Sequence, residues 1–121
     1  MNFTKLVPSV FYTDIQDALK LFVDCLEFTV EHHELHAGKP FYVIGRDRLQ
    51  IYLFENEDFA QEHHPELRLV TDDIEAVYQR VATSYPEFLH PNLSTVTLRP
   101  WGAKEFALMD SQLGIIIQQW S

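Results

Sequence analysis

Two stretches, "TDIQDALKLFVDCL" at 13–26 and "DDIEAVYQRVATSY" at 72–85, decide how this chain is read. In the first, apolar residues fall at Ile15, Ala18, Leu19, Phe22, Val23 and Leu26. That is the three-and-four spacing of one buried helical stripe. In the second they fall at Ile74, Val77, Tyr78, Val81, Ala82 and Tyr85, each 59 positions after its counterpart. Asp73 repeats Asp14 at the same offset, and a short side-chain oxygen at that place (Thr13 or Asp14 in the first copy) caps a helix by accepting from its free first-turn amides. Pro86 ends the second helix, because it can neither donate nor fit the helix interior. The shared stripe, start signal and flanks ("CLEF", "YPEF") point to an internal duplication.

Working outward, each helix follows a short strand-like run, "LVPSVFY" at 6–12 and "ELRLVT" at 66–71. Three further strand candidates follow each helix. They are "FTVEHHELH", "PFYVIG" and "LQIYLFE" in the first half, and "STVTLR", "AKEFALM" and "GIIIQQW" in the second. "ENEDFAQEHHP" is polar, ends in Pro and reads as the linker. The plan is α+β: one domain over 1–121, made of two βαβββ modules at about 1–56 and 64–121, joined by a linker at about 57–63. Each helix is expected to cover one face of a four-stranded sheet and leave the other face free.

Composition excludes several functions. The net charge is −9, with only 9 Lys and Arg, scattered along the chain, which argues against nucleic acid. No apolar run is long enough to span a membrane, and no secretory leader is visible, so a cytoplasmic protein is expected. Cys25 is the single cysteine, which excludes an internal disulfide; at the end of the first helix it reads as a buried, inert thiol. No Gly-x-Ser-x-Gly elbow or phosphate-cradling loop is present.

The order of these pieces, with "LVPSVFYTDIQDALKLF…LEF" at 6–28 and "RPWGAKEFALMD…G" at 99–114, resembles the glyoxalase/bleomycin-resistance/dioxygenase superfamily, the vicinal oxygen chelate fold. The resemblance covers essentially the whole chain. It implies a cup-shaped mixed sheet built from the two modules, a small-molecule ligand and a homodimer. Two departures stand out. Glu27 occupies the place where that family prefers Gly, and "DSQLG" at 110–114 lacks the family's Pro and carries one extra residue. If Glu27 takes positive φ, the cost is about 1 kcal/mol relative to Gly.

Alternation assigns the faces. Either parity of the first strand is fairly apolar; the resemblance, whose strand-one ligand position then falls at Val7, implies Pro8, Val10 and Tyr12 under the first helix and Val7, Ser9 and Phe11 on the free face. Leu67 and Leu69 go under the second helix, leaving Glu66, Arg68 and Val70. Ile51 and Leu53 are expected inside, with Gln50, Tyr52 and Phe54 opposite; Ile115 and Ile117 inside, with Ile116, Gln118 and Trp120 opposite. The expected ligand wall is therefore Phe11, Tyr52, Phe54 and Trp120, with Ser9, Glu66, Arg68 and Gln118 as polar points. The resemblance places the Trp-Gly turn near the rim of the cup, which implies a rim or interface position for Trp101 and not the deep core.

Metal-dependent members of that superfamily need about three His or Glu ligands. Here the strand-one position is Val7 and the last-strand position is Gln118 or Ile117. His64, Glu66 and Gln118 would be a degraded set for a divalent ion, and no metal or other cofactor is expected. His32, Glu34 and His36 read as an exposed strand face, and His63 and His90 as surface. The leading expectation is a metal-free protein that binds a small, partly aromatic or cationic molecule, with drug sequestration as its use. Its rivals are a metal-dependent lyase or dioxygenase, and a dimer with a vestigial cup.

Overall fold

A computed structural model describes all residues, 1–121, as two compact units, Met1–His63 and His64–Ser121. The first contains β1 (Ser9–Tyr12), α1 (Ile15–Leu19), β2 (Thr29–His36), β3 (Lys39–Arg46), β4 (Leu49–Glu55) and α2 (Glu57–Glu62). The second contains β5 (Glu66–Val70), α3 (Ile74–Ser84), β6 (Thr97–Leu98), β7 (Ala103–Met109) and β8 (Gly114–Trp120). Each unit holds one mixed four-stranded sheet, ordered β1-β4-β3-β2 and β5-β8-β7-β6. The first strand of each unit runs parallel to the last, and the others pair antiparallel. The duplicated βαβββ plan is therefore present in both sheets.

The register extends the duplication beyond what the sequence offered. Ser9 pairs with Tyr52 in one unit, as Arg68 pairs with Ile116 in the other. Asp14 and Asp73 cap their helices, accepting from Gln16 N (2.9 Å) and Ala76 N (3.2 Å). The last strand of each sheet also reaches a helix start: Ile15 N donates to Glu55 Oε2 (3.1 Å) and Ile74 N to Gln119 Oε1 (2.8 Å). These bonds satisfy amides that have no partner inside the helix.

Strand faces follow the alternation. Val10, Tyr12, Ile51, Leu53, Ile115 and Ile117 are buried on the helix side. Leu67 and Leu69 are half-buried between exposed Glu66, Arg68 and Val70.

Three expectations need correction. The first helix does not stay α-helical to Leu26. After Leu19 it widens into a π-helical segment, Lys20–Cys25, closed by Leu26 N donating to Leu21 O (3.0 Å). The wider turn rotates the buried stripe, so Leu21 and Cys25 are fully buried while Leu19, Val23 and Leu26 are only half-buried. The polar linker is instead α2, capped by Asn56, whose Oδ1 accepts from Phe59 N (3.1 Å); Ala60 is buried against the unit. The strand expected in "STVTLR" shrinks to Thr97–Leu98. No helix is long and apolar enough to cross a membrane.

Candidate functional site

The face of the first sheet opposite α1 is an aromatic surface. Phe41 pairs with Phe54, and their rings stack at 4.7 Å. Phe54 also stacks on Phe11 at 5.4 Å, and Tyr52 meets Phe41 edge-on at 5.4 Å. The structure thus joins Phe11, Tyr52 and Phe54, three of the four expected wall residues, through Phe41. Helix α2 returns over β1 and sets Phe59 edge-on to Phe11 at 5.1 Å. His36, at the end of β2, presents its ring to Phe54 at 5.7 Å.

Beside this surface lies a cavity of about 700 Å³. Phe11, Phe54, Phe59 and His36 line it. Glu55, Glu57 and Asp58 also line it, against a single cation, Lys39. An apolar aromatic wall next to surplus carboxylates has two kinds of attraction for a planar cation: ring stacking and charge.

The helix-free face of the second sheet is polar at the matching register. Where Phe41 faces Phe54 in the first unit, Glu105 faces Gln118 in the second. Glu105 is only 1% exposed, and its Oε2 accepts from Gln118 Nε2 (2.7 Å) and Trp101 Nε1 (3.1 Å). Arg99 lies over the Trp101 ring at 4.8 Å, with its Nε 3.7 Å from Glu105 Oε1. Trp101 is 51% exposed, so it is neither deep core nor loose in solvent: its indole N–H is tied to a buried carboxylate. Arg68 Nη1 meets Glu66 Oε2 at 3.2 Å, both side chains half in solvent. Trp120, the fourth expected wall residue, is exposed at the end of β8, opposite Ala103, in a different unit from the other three.

The three donors considered for a metal are held apart. Glu66 pairs with Gly114 and Gln118 with Val70, four residues further along β5 and about 13 Å away at the usual strand rise. His64 Nδ1 is 3.2 Å from the Gln112 carbonyl, Glu66 is on Arg68, and Gln118 is on Glu105. No group of three or more His, Cys, Asp or Glu is placed to hold a metal ion.

Reading the sequence missed Phe41, Phe59, Glu57 and Asp58. Phe41 had a signal, since it shares the alternation of "PFYVIG" but was given no face. Phe59 and the two acids were hidden by the polar composition of the supposed linker. Only the Asn56-Glu57-Asp58 cap signature marks a helix there.

No family model matches the chain, and no curated protein matches it in sequence. Solved structures match its fold along nearly the full length. A bleomycin-binding protein in complex with bleomycin superimposes with a TM-score of 0.70 at 18% identity, over 98% of this chain and 100% of that one. TnmS3, an antibiotic-binding protein from Streptomyces sp. CB03234, gives 0.75 at 18% identity, over 100% and 99%. Lactoylglutathione lyase from Agrobacterium tumefaciens gives 0.71 at 10% identity, over 98% and 95%. The chain has the fold of the glyoxalase/bleomycin-resistance/dioxygenase superfamily.

Proposed function

We propose that this protein binds a small planar aromatic cation on the first sheet and works by sequestration, without metal and without catalysis. One observation carries the reading: the Phe11–Phe54–Phe59 wall and the acidic residues Glu55, Glu57 and Asp58 line one cavity. Rings in such a wall remove a planar ligand from water and stack on it, while the carboxylates select its charge. The fold is shared with antibiotic binders and with a lyase, so the fold alone does not choose between them. The binder is favoured by the separation of Glu66 from Gln118 along β5 and β8, which leaves His64, Glu66 and Gln118 without a common centre. Cytoplasmic location and a homodimer complete the proposal; light scattering of the purified chain checks the dimer.

The test is a calorimetric titration with 9-aminoacridine, a planar cation, against naphthalene-2-sulfonate, a planar anion of similar breadth. The cation is expected to bind at least about tenfold more tightly, and Phe54→Ala to lose most of that affinity. Equal binding of the two probes would sink the charge argument. Metal content is measured on the same sample: a stoichiometric divalent ion, lost in His64→Ala or Glu66→Gln, would favour the lyase or dioxygenase reading instead.

A further inference from the structure

The second unit has a cavity of its own, about 350 Å³, lined by His64, Glu66, His90, Asn92, Arg99 and the apolar Ile116. The two histidines are fixed in opposite tautomers by their partners. A carbonyl oxygen can only accept, so the 3.2 Å contact between His64 Nδ1 and the Gln112 carbonyl puts the proton on Nδ1. Gln112 Nε2, 3.5 Å from the same nitrogen, is the longer and weaker of the two contacts. In the neutral ring His64 Nε2 then carries the lone pair. In His90 the order is reversed. The Asn92 backbone N–H donates to its Nδ1 (3.1 Å), so the ring proton sits on Nε2. One imidazole offers an acceptor and the other a donor.

The charges of this cavity cancel. Among its lining residues, Glu66 is the one acid and Arg99 the one permanent cation. Glu66 is held by Arg68, and Arg99 lies 3.7 Å from the buried carboxylate of Glu105. A carboxylate entering here is repelled by Glu66 and finds Arg99 already facing Glu105; an ammonium is repelled by Arg99 and finds Glu66 already on Arg68. The group that satisfies one donor and one acceptor without bringing charge is an amide. Its N–H answers the lone pair on His64, and its carbonyl answers the N–H of His90, so neither imidazole is left unpaired when water is excluded. From this we infer that the cavity of the second unit is a binding site for the carboxamide group, primary or lactam, of an uncharged small molecule.

Nitrogen-15 NMR of the imidazoles in the full-length protein tests the premise. Nδ1–H on His64 and Nε2–H on His90 are expected, and the opposite tautomer at either residue would overturn the inference. Benzamide, benzoate and benzylamine are then titrated separately while the backbone amides of Asn92 and Ile116 are followed. Benzamide is expected to shift both amides and to bind at least about tenfold more tightly than either charged analogue. An equal or tighter benzoate or benzylamine, or benzamide that leaves both amides unmoved, refutes it. His90→Phe keeps the ring and removes the donor, and is expected to cost about tenfold in benzamide affinity. Because that change also frees the Asn92 amide, His64→Phe serves as the second variant, with the same loss expected and an unchanged melting temperature as proof of folding. Retained affinity in a folded variant of either kind counts against the site.

Discussion

Glu27 sits at φ +62°, just after the π-helical segment, in the left-handed region that a side chain with a Cβ avoids. Its carbonyl accepts from Arg46 Nη1 at 3.0 Å, which ties the turn to the end of β3. Glycine there would keep the carbonyl and remove the steric cost. Glu27→Gly is therefore expected to raise stability by about 1 kcal/mol, read as a higher urea midpoint at unchanged slope. A lower midpoint would mean that the Glu27 side chain contributes more than its backbone costs. This strain was legible only through the resemblance, which marks the position as one where that family prefers Gly. Ala37 is the contrasting case. It precedes Gly38 in a β2–β3 turn where both residues have positive φ, 51° and 79°. Neither type I′ preference, Asn or Asp first, is present, so the residue type at 37 carries no warning. Ala37→Asn is expected to stabilise by a few tenths of a kcal/mol, about half the Glu27 effect, in the same assay.

Strands were easier to read than helices, for a physical reason. Strand alternation has a period of two, so an error of one residue exchanges the faces, and leucines under a helix expose it at once. Helical phase has no such check: six residues of π-helix moved Leu21 into the core and left Leu19, Val23 and Leu26 half-buried with no change in composition. Short elements fared worst, α2 because it is mostly polar and β6 because only Thr97 and Leu98 pair. The Glu105–Gln118 pair was legible only in part, since Gln118 was placed on the free face but its partner was not named. That pair makes a sharp prediction for β7 and β8. Gln118→Leu leaves a buried carboxylate one donor short, and Glu105→Leu leaves the Gln118 amide and the Trp101 indole N–H without their acceptor and Arg99 without its counter-charge. Each single change is expected to cost about 1–3 kcal/mol. The double change, Glu105→Leu with Gln118→Leu, is expected to recover at least about 1 kcal/mol of the summed loss, because the equivalent pair in the first sheet, Phe41 and Phe54, is apolar. Costs that simply add in denaturant unfolding would show that the two side chains do not act as a pair.

One duplicated plan carries two opposite surface chemistries, and that difference has a consequence for the whole chain. The Phe41/Phe54 register is occupied by Glu105 and Gln118 in the second unit, and the acidic lining of the first cavity by one acid and one arginine in the second. The chain as a whole carries a net charge of −9. A cation approaching the first unit is therefore drawn both by Glu55, Glu57 and Asp58 and by the long-range field, whereas an uncharged amide feels neither. Between about 10 mM and 150 mM salt the screening length falls from about 30 Å to about 8 Å. Over that range 9-aminoacridine affinity is expected to fall about fivefold or more, and Asp58→Asn to flatten the dependence. Benzamide affinity is expected to stay within about twofold, since screening acts only on charge. Parallel titrations at the two salt concentrations decide both points. An aminoacridine affinity indifferent to salt would mean that ring stacking alone holds the cation. A salt-sensitive benzamide affinity would mean that the second cavity is not electrically neutral toward its ligand.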